Sequence, residues 1–334
     1  MREFSSLARA LATASIAFAM LPGCSGNSLQ AAPDSLGQIA SGAQGATTGS
    51  LLTASAKPKP LIFVSDERHN NVDIFLQSGG NHVVGRISGI YEPLRVATDR
   101  ANNVYIADGN GNVSVFAPPY TGPPSLVLSG GYAFGVAVSK NRLVAAVGYP
   151  QGVPSVTFFA KGASTPCATV TSPGFSIMNS DAFDGQGNLY IEGRDPSNQT
   201  EIGEVTGGCN ATAITPLTTA NALIYSDGGI QVDKQGRIAI LTDNSASSFV
   251  IYTYNPPVSG SLGNPVSTTI LSHQKGPFGF AFLASGAGVY VAGFLESTVK
   301  EYAYPGGGVA IRKLRIHGFR GLPSDVAVTP PLVP

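Results

Sequence analysis

Four histidines, three cysteines and a thin scatter of carboxylates are the groups that this 334-residue chain offers for metal, nucleophilic or acid–base chemistry. His69, His82, His273 and His317 lie far apart and show no ligand spacing, so no histidine-based metal motif is expected. A G-x-S-x-G elbow, a Walker A loop and a dinucleotide-binding glycine fingerprint are all absent from the sequence. Any site must therefore be gathered by the fold from distant segments. Glu92, Asn179, Asp181 and Asp227 carry the oxygens that a hard cation such as Ca²⁺ takes. Tyr91, Tyr132, Tyr225 and Phe278 add aromatic faces suited to a sugar ring, a peptide or an aromatic metabolite, with Phe134, Arg320 and Asp325 in comparable positions.

What would gather these residues is a repeated phrase. A strand ends in a polar turn, a second strand follows at once, and a third comes after a short loop. The clearest copy runs Arg95-Val96-Ala97-Thr98-Asp99, turns through Arg100 to Asn103, and continues Val104-Tyr105-Ile106-Ala107-Asp108. Further copies centre on Asp181–Gly193, Gly229–Leu241, Val136–Gly148 and Phe280–Gly293. The second strands end at Asp66, Asp108, Gly148, Gly193, Asp243 and Gly293, a rhythm of 40 to 50 residues. One blade of four short strands needs about that length. Val, Ile, Tyr and Phe bounded by Gly, Asn and Asp supply strand and turn chemistry together. The Asp-x-x-Gly-Asn phrase at Asp184–Asn188 reads as a hairpin device in which the acid bonds following backbone N–H groups, and not as a ligand set.

The first copy lacks its innermost strand, and Asp325-Val326-Ala327-Val328-Thr329 looks like an innermost strand without a successor. The expectation is an all-β, six-bladed β-propeller of four-stranded antiparallel blades, closed by a C-terminal innermost strand that completes the first blade. Closure of this kind removes exposed sheet edges. VATDRANNVYIADGNGNVSVF and AFDGQGNLYIEG resemble NHL-type repeats and related six-bladed propellers of bacterial surface and secreted proteins, over nearly all of residues 60–330. That resemblance implies the fold, and it spans binding scaffolds, lactonases and lyases. The gluconolactonase group holds a divalent cation at the channel mouth with a Glu, an Asn and one or two Asp, the roles that Glu92, Asn179, Asp181 and Asp227 would take here. Virginiamycin-lyase-type propellers place a catalytic His near metal-binding acids, and no His of this chain stands beside a mouth acid in such a pattern.

Residues 1–23 read as a signal peptide: Arg2 and Arg9 precede an apolar run from Leu11 to Leu21, too short for a permanent span. Leu21-Pro22-Gly23-Cys24 resembles a bacterial lipobox, which implies lipidation of Cys24 and, with Ser25 following, retention at the outer membrane. Residues 24–59 are small and polar and read as a flexible tether. With 20 basic and 20 acidic residues the net charge is zero, so no nucleic-acid partner is expected. Cys167 and Cys209 sit in similar phrases near the outer edges of neighbouring blades. An oxidising compartment permits their disulfide, and the Gly207-Gly208 loop gives slack, although outer positions of adjacent blades can lie too far apart. The chain is thus expected to be a lipid-anchored envelope protein. Its propeller would bind another envelope protein, a peptide or a carbohydrate, the alternative being a divalent-metal-dependent lactonase, hydrolase or lyase at the channel mouth.

Overall fold

The structure is a computed structural model that describes residues 59–130, 133–149, 152–221, 223, 228–244, 248–317 and 320–332. The lipobox-like segment, Cys24 and the tether up to residue 58 lie outside the described residues, as do Tyr132, Tyr225 and Asp227.

Six antiparallel sheets follow one another along the chain. The first joins β1 (Leu61–Asp66), β2 (Asn71–Leu76) and β3 (Gly85–Ser88), and the second β4 (Pro93–Thr98), β5 (Val104–Asp108), β6 (Asn112–Phe116) and β7 (Leu126–Ser129). The third holds β8 (Ala133–Val138), β9 (Val144–Gly148), β10 (Ser155–Phe159) and β11 (Ala168–Thr171). The fourth holds β12 (Ile177–Phe183), β13 (Leu189–Arg194), β14 (Thr200–Val205) and β15 (Thr215–Thr219). The fifth holds β16 (Ile230–Val232), β17 (Ile238–Asp243), β18 (Phe249–Tyr254) and β20 (Ser267–Leu271), with β19 (Ser261–Gly263) between the last two in sequence. The sixth holds β21 (Pro277–Phe282), β22 (Gly288–Gly293), β23 (Thr298–Ala303) and β24 (Arg312–Arg315). The last strand, β25 (Pro323–Thr329), returns to the first sheet and pairs antiparallel with β1, Leu61 opposite Thr329 and Phe63 opposite Ala327. The ring is closed as the repeat arithmetic expects. One detail goes beyond it: β19 leaves the fifth blade and pairs parallel with β15 of the fourth, which accounts for part of that repeat's extra length.

The apolar residues divide into six clusters, and each spans two adjacent blades. Phe63, Ile74 and Ile87 of the first blade pack with Val96, Ile106 and Phe116 of the second, and Ile62, Val64 and Phe75 on the opposite face meet Tyr290, Val299 and Leu314 of the sixth. No blade therefore buries its two faces alone. This explains the strand patterns: β1, β5 and β22 are buried at every position, as expected of a strand covered on both faces, whereas outermost β7, β11 and β24 have one fully buried residue each.

The turn aspartates serve the backbone. Asp184 Oδ1 accepts from the N–H groups of Gln186, Gly187 and Asn188, while Oδ2 accepts from Asn188 Nδ2 and the Tyr190 hydroxyl. Asp99 and Asp233 repeat the arrangement. At the outer edge, Cys167 and Cys209 form a disulfide between the third and fourth blades, with Cα atoms 5.1 Å apart.

Candidate metal centre

The β1–β2 connection is tight. β1 ends at Asp66, Glu67–His69 form a single 3₁₀ turn, and Asn70 reverses the chain with φ of 53° before β2 begins. His69 thus stands three residues after Asp66, close enough for its ring to fold back onto the carboxylate. His317 arrives from the other end of the chain. It lies in the connection from β24 to β25, and since β25 pairs with β1, that connection must pass over the end of β1. The close passage needs Gly321, where a Cβ would come within 2.7 Å of Asp66 Oδ2.

The three side chains converge. Asp66 is fully buried, and its Oδ1 accepts from the Leu322 N–H at 2.9 Å. Its Oδ2 meets Nδ1 of His69 at 2.9 Å and Nδ1 of His317 at 2.6 Å. The two imidazoles stack on each other, centroids 4.0 Å apart and planes 27° from parallel. One ligand atom from each of the three residues lies within 4.8 Å of the others, the one such group of three His, Cys, Asp or Glu among the described residues. A second carboxylate stands behind. Buried Asp73 accepts through Oδ1 from Arg86 Nε at 2.7 Å, while its Oδ2 lies 3.6 Å from His317 Nδ1 and has no hydrogen-bond partner.

Burial alone would raise the Asp66 carboxyl, but the Leu322 N–H and the two imidazoles outweigh it and hold the pKa below the ordinary value. Asp73 goes the other way, because burial exceeds the pull of Arg86. Glu67, half-buried beside the group, is raised by burial and then by the charges of Glu92 and Asp66. Two imidazoles with one or two carboxylates suit Zn²⁺ or another first-row divalent ion, and the orphaned Asp73 oxygen leaves acceptor capacity for one. The donor set does not suit Ca²⁺, which prefers an all-oxygen cage.

This outcome corrects the expectation that the histidines carry no ligand arrangement. His69 and His317 are 248 positions apart in sequence, and only ring closure joins them. The signal was nonetheless present, since a β25 strand beside β1 brings the residues before Pro323 over Asp66. Of the described mouth residues, Asn179, Asp181, Phe278 and Asp325 gather around Arg95, while Tyr91 and Glu92 stand beside the β1–β2 connection. Tyr91 is exposed, and Glu92 has its backbone N–H held by Asn70 Oδ1 at 2.8 Å, next to the candidate centre. Asn179 offers its carbonyl to Arg95 Nε at 3.2 Å. Phe278 stacks on Phe294 and carries the Arg95 guanidinium 5.0 Å above its ring. Asp181 and Asp325 are buried inside the channel, and Arg320 accepts through its carbonyl from Arg68 Nη1 at 3.0 Å.

No protein-family model matches the chain, and no curated protein does. Solved structures match over most of its length. A chain of a nidogen/laminin complex is 13% identical with a TM-score of 0.60, covering 80% of this chain and 98% of its own. A protein of unknown function from Bacteroides caccae is 11% identical with a TM-score of 0.57, covering 81% and 98%. Hydrazine synthase of Kuenenia stuttgartiensis is 12% identical with a TM-score of 0.54, covering 79% and 85%. At such identities the likeness is one of fold, and it establishes the chain as a six-bladed β-propeller.

Proposed function

We propose that this protein is a divalent-metal-dependent hydrolase or lyase, of the class that opens lactones or esters, acting at Asp66, His69 and His317. The observation that carries the reading is the convergence of two imidazoles on one buried carboxylate, with the unpartnered Asp73 oxygen beside them. A divalent ion held there would polarise a carbonyl or lower the pKa of a water. Glu67, next to Asp66 in sequence and with its carboxyl raised by burial and by the charges of Glu92 and Asp66, would take or give a proton. Arg68 and Arg320, exposed at the rim, supply positive charge for a substrate carboxylate or enolate. The lipobox-like Leu21–Cys24 and the small-residue tether support an extracytoplasmic, lipid-anchored location for this activity.

The binding-scaffold reading keeps one observation of its own. Ile270, Val309 and Ile311, 48%, 73% and 67% exposed, lie on adjoining outer edges of the fifth and sixth blades and form an apolar surface that a partner could cover.

Metal analysis of the purified protein, followed by assays on aryl esters and on γ- and δ-lactones with Zn²⁺ or Mn²⁺ added, tests the enzymatic reading. Turnover that needs the metal and disappears in His317→Ala supports it. No bound metal and no metal-dependent turnover would reject it.

A further inference from the structure

Asp181 occupies a slot where the other blades carry hydrocarbon. By hairpin register it corresponds to Val96, Val136, Ile230, Phe280 and Val326, all buried between blades. The carboxyl is 5% exposed, and it meets no side-chain donor; the Ala137 backbone N–H and the charge of Arg95 are what draw on it. Room for it comes from Gly135 of the preceding blade, where a Cβ would approach Oδ1 to 2.7 Å. The nearest cation is already engaged. Arg95 donates through Nε to the Asn179 carbonyl and through Nη1 to the Phe278 carbonyl, stacks on the Phe278 ring, and has Asp325 Oδ1 3.8 Å from Nη1 as its counter-charge. Two buried carboxylates, Asp325 and Asp181, thus share the one guanidinium of Arg95. An incompletely compensated carboxylate in such a place is costly unless a proton or a cation meets it.

Asp181 also lines a cavity of about 140 Å³ that runs along the propeller axis, away from the candidate metal centre. The cavity extends from the Arg95–Asp181–Asp325 layer to the face of the first-to-second strand turns, where Arg100, Lys140 and Leu332 border it. Ala97, Ala137, Ala182, Ala281 and Ala327 stand at one register level, with Gln231 in place of a sixth alanine. The volume is comparable to that of an apolar cavity that accepts benzene. A sleeve of alanine methyls with Asp181 and Asp325 beside Arg95 at its inner end lacks the six to eight oxygens of a calcium site and has no imidazole or thiolate. It matches a nitrogen cation with N–H donors and a short hydrocarbon tail.

We propose that the channel is a binding site for a small primary alkylammonium compound, its ammonium donating to Asp181 and its tail lying along the alanine sleeve. At the outer end Asp99 and Asp184 are bonded within their own turns, and Lys140 and Arg100 beside them oppose a second positive charge, so the site selects a monoamine over a diamine. This site is independent of the metal centre on the opposite face.

The probe is n-butylammonium chloride, followed by calorimetry and ligand-observed NMR, with n-butyrate and 1,4-diaminobutane as controls. The full propeller is compared with Asp181→Asn and with Ala97→Leu, which fills the sleeve and keeps the carboxyl. Saturable binding of butylammonium is expected, weakened roughly tenfold or more in Asp181→Asn. A similar loss is expected in Ala97→Leu, with weaker binding of the diamine and none of butyrate. Should Asp181→Asn fail to fold, Ala97→Leu and the two control ligands decide. Equal binding to the parent and both variants, binding of butyrate as tight as that of the amine, or no saturable binding up to ~10 mM would overturn the proposal.

Discussion

Asp66→Asn is the substitution that interrogates the candidate centre most sharply. The change keeps the size of the side chain and one acceptor oxygen, so the Leu322 N–H, 2.9 Å from Oδ1, retains its partner. The other oxygen becomes an NH₂ group. It then faces the Nδ1 atoms of His69 and His317, now 2.9 and 2.6 Å away, as a donor where both rings had an acceptor. The rings must turn, or each must carry its proton on Nε2, and a carboxylate is lost from the ligand group. Removing an orienting carboxylate from ligating histidines costs about 10–100-fold in metal affinity, and more where that carboxylate ligates directly. Losing charge-assisted hydrogen bonds in a fully buried position costs about 1.5–3 kcal/mol of stability. Calorimetric titration with Zn²⁺ near neutral pH, alongside a melting curve of each protein, measures both quantities. Affinity in Asp66→Asn within twofold of the parent would refute the reasoning, because the buried carboxylate would then neither hold nor orient a ligand.

Two other consequences can be measured. The Cys167–Cys209 disulfide closes 42 residues of sequence, and its removal by a double Ser substitution should lower stability by roughly 2–4 kcal/mol and Tm by ~5–10 °C. Identical melting with and without reductant would contradict this. Asp325 is raised from 3.8 to about 6, because burial exceeds the pull of Arg95. The folded chain therefore keeps a proton that the unfolded chain releases. The contribution is complete below the unfolded value, is lost as pH rises through about 6, and amounts to about 3 kcal/mol. Denaturant unfolding of the parent and Asp325→Asn across pH 4–7 should give a stability difference that shrinks by about that much, and a pH-independent difference would contradict the assignment.

The fold was legible because it is written locally six times. Each copy states its own hairpin, as in Asp184 followed by Gly187 and Asn188, and its own central strand with no polar interruption, as in Val104–Ala107. The lone strand at Asp325–Thr329 then had one place to go, and it pairs with β1. The site was less legible because it is written once, in pieces. Asp66 and His69 are neighbours in sequence, but nothing near them announces His317, whose position depends on the whole ring closing. Of the oxygen ligands expected at the mouth, Asn179 and Asp181 illustrate a related point. Residues two positions apart on an innermost strand differ in depth along the axis, so Asn179 can hand its carbonyl to Arg95 while Asp181 is sealed in the channel wall. Burial of Asp181 could not be read from its type, since the equivalent residues elsewhere are aliphatic or aromatic.

The most direct test is anomalous diffraction from crystals of the propeller soaked in Zn²⁺, collected at the zinc edge. A peak about 2.1 Å from an imidazole nitrogen of both His69 and His317, next to the Asp66 carboxylate, is the predicted result. Density confined to other surfaces, with those two rings still turned onto Asp66 and nothing between them, would contradict it.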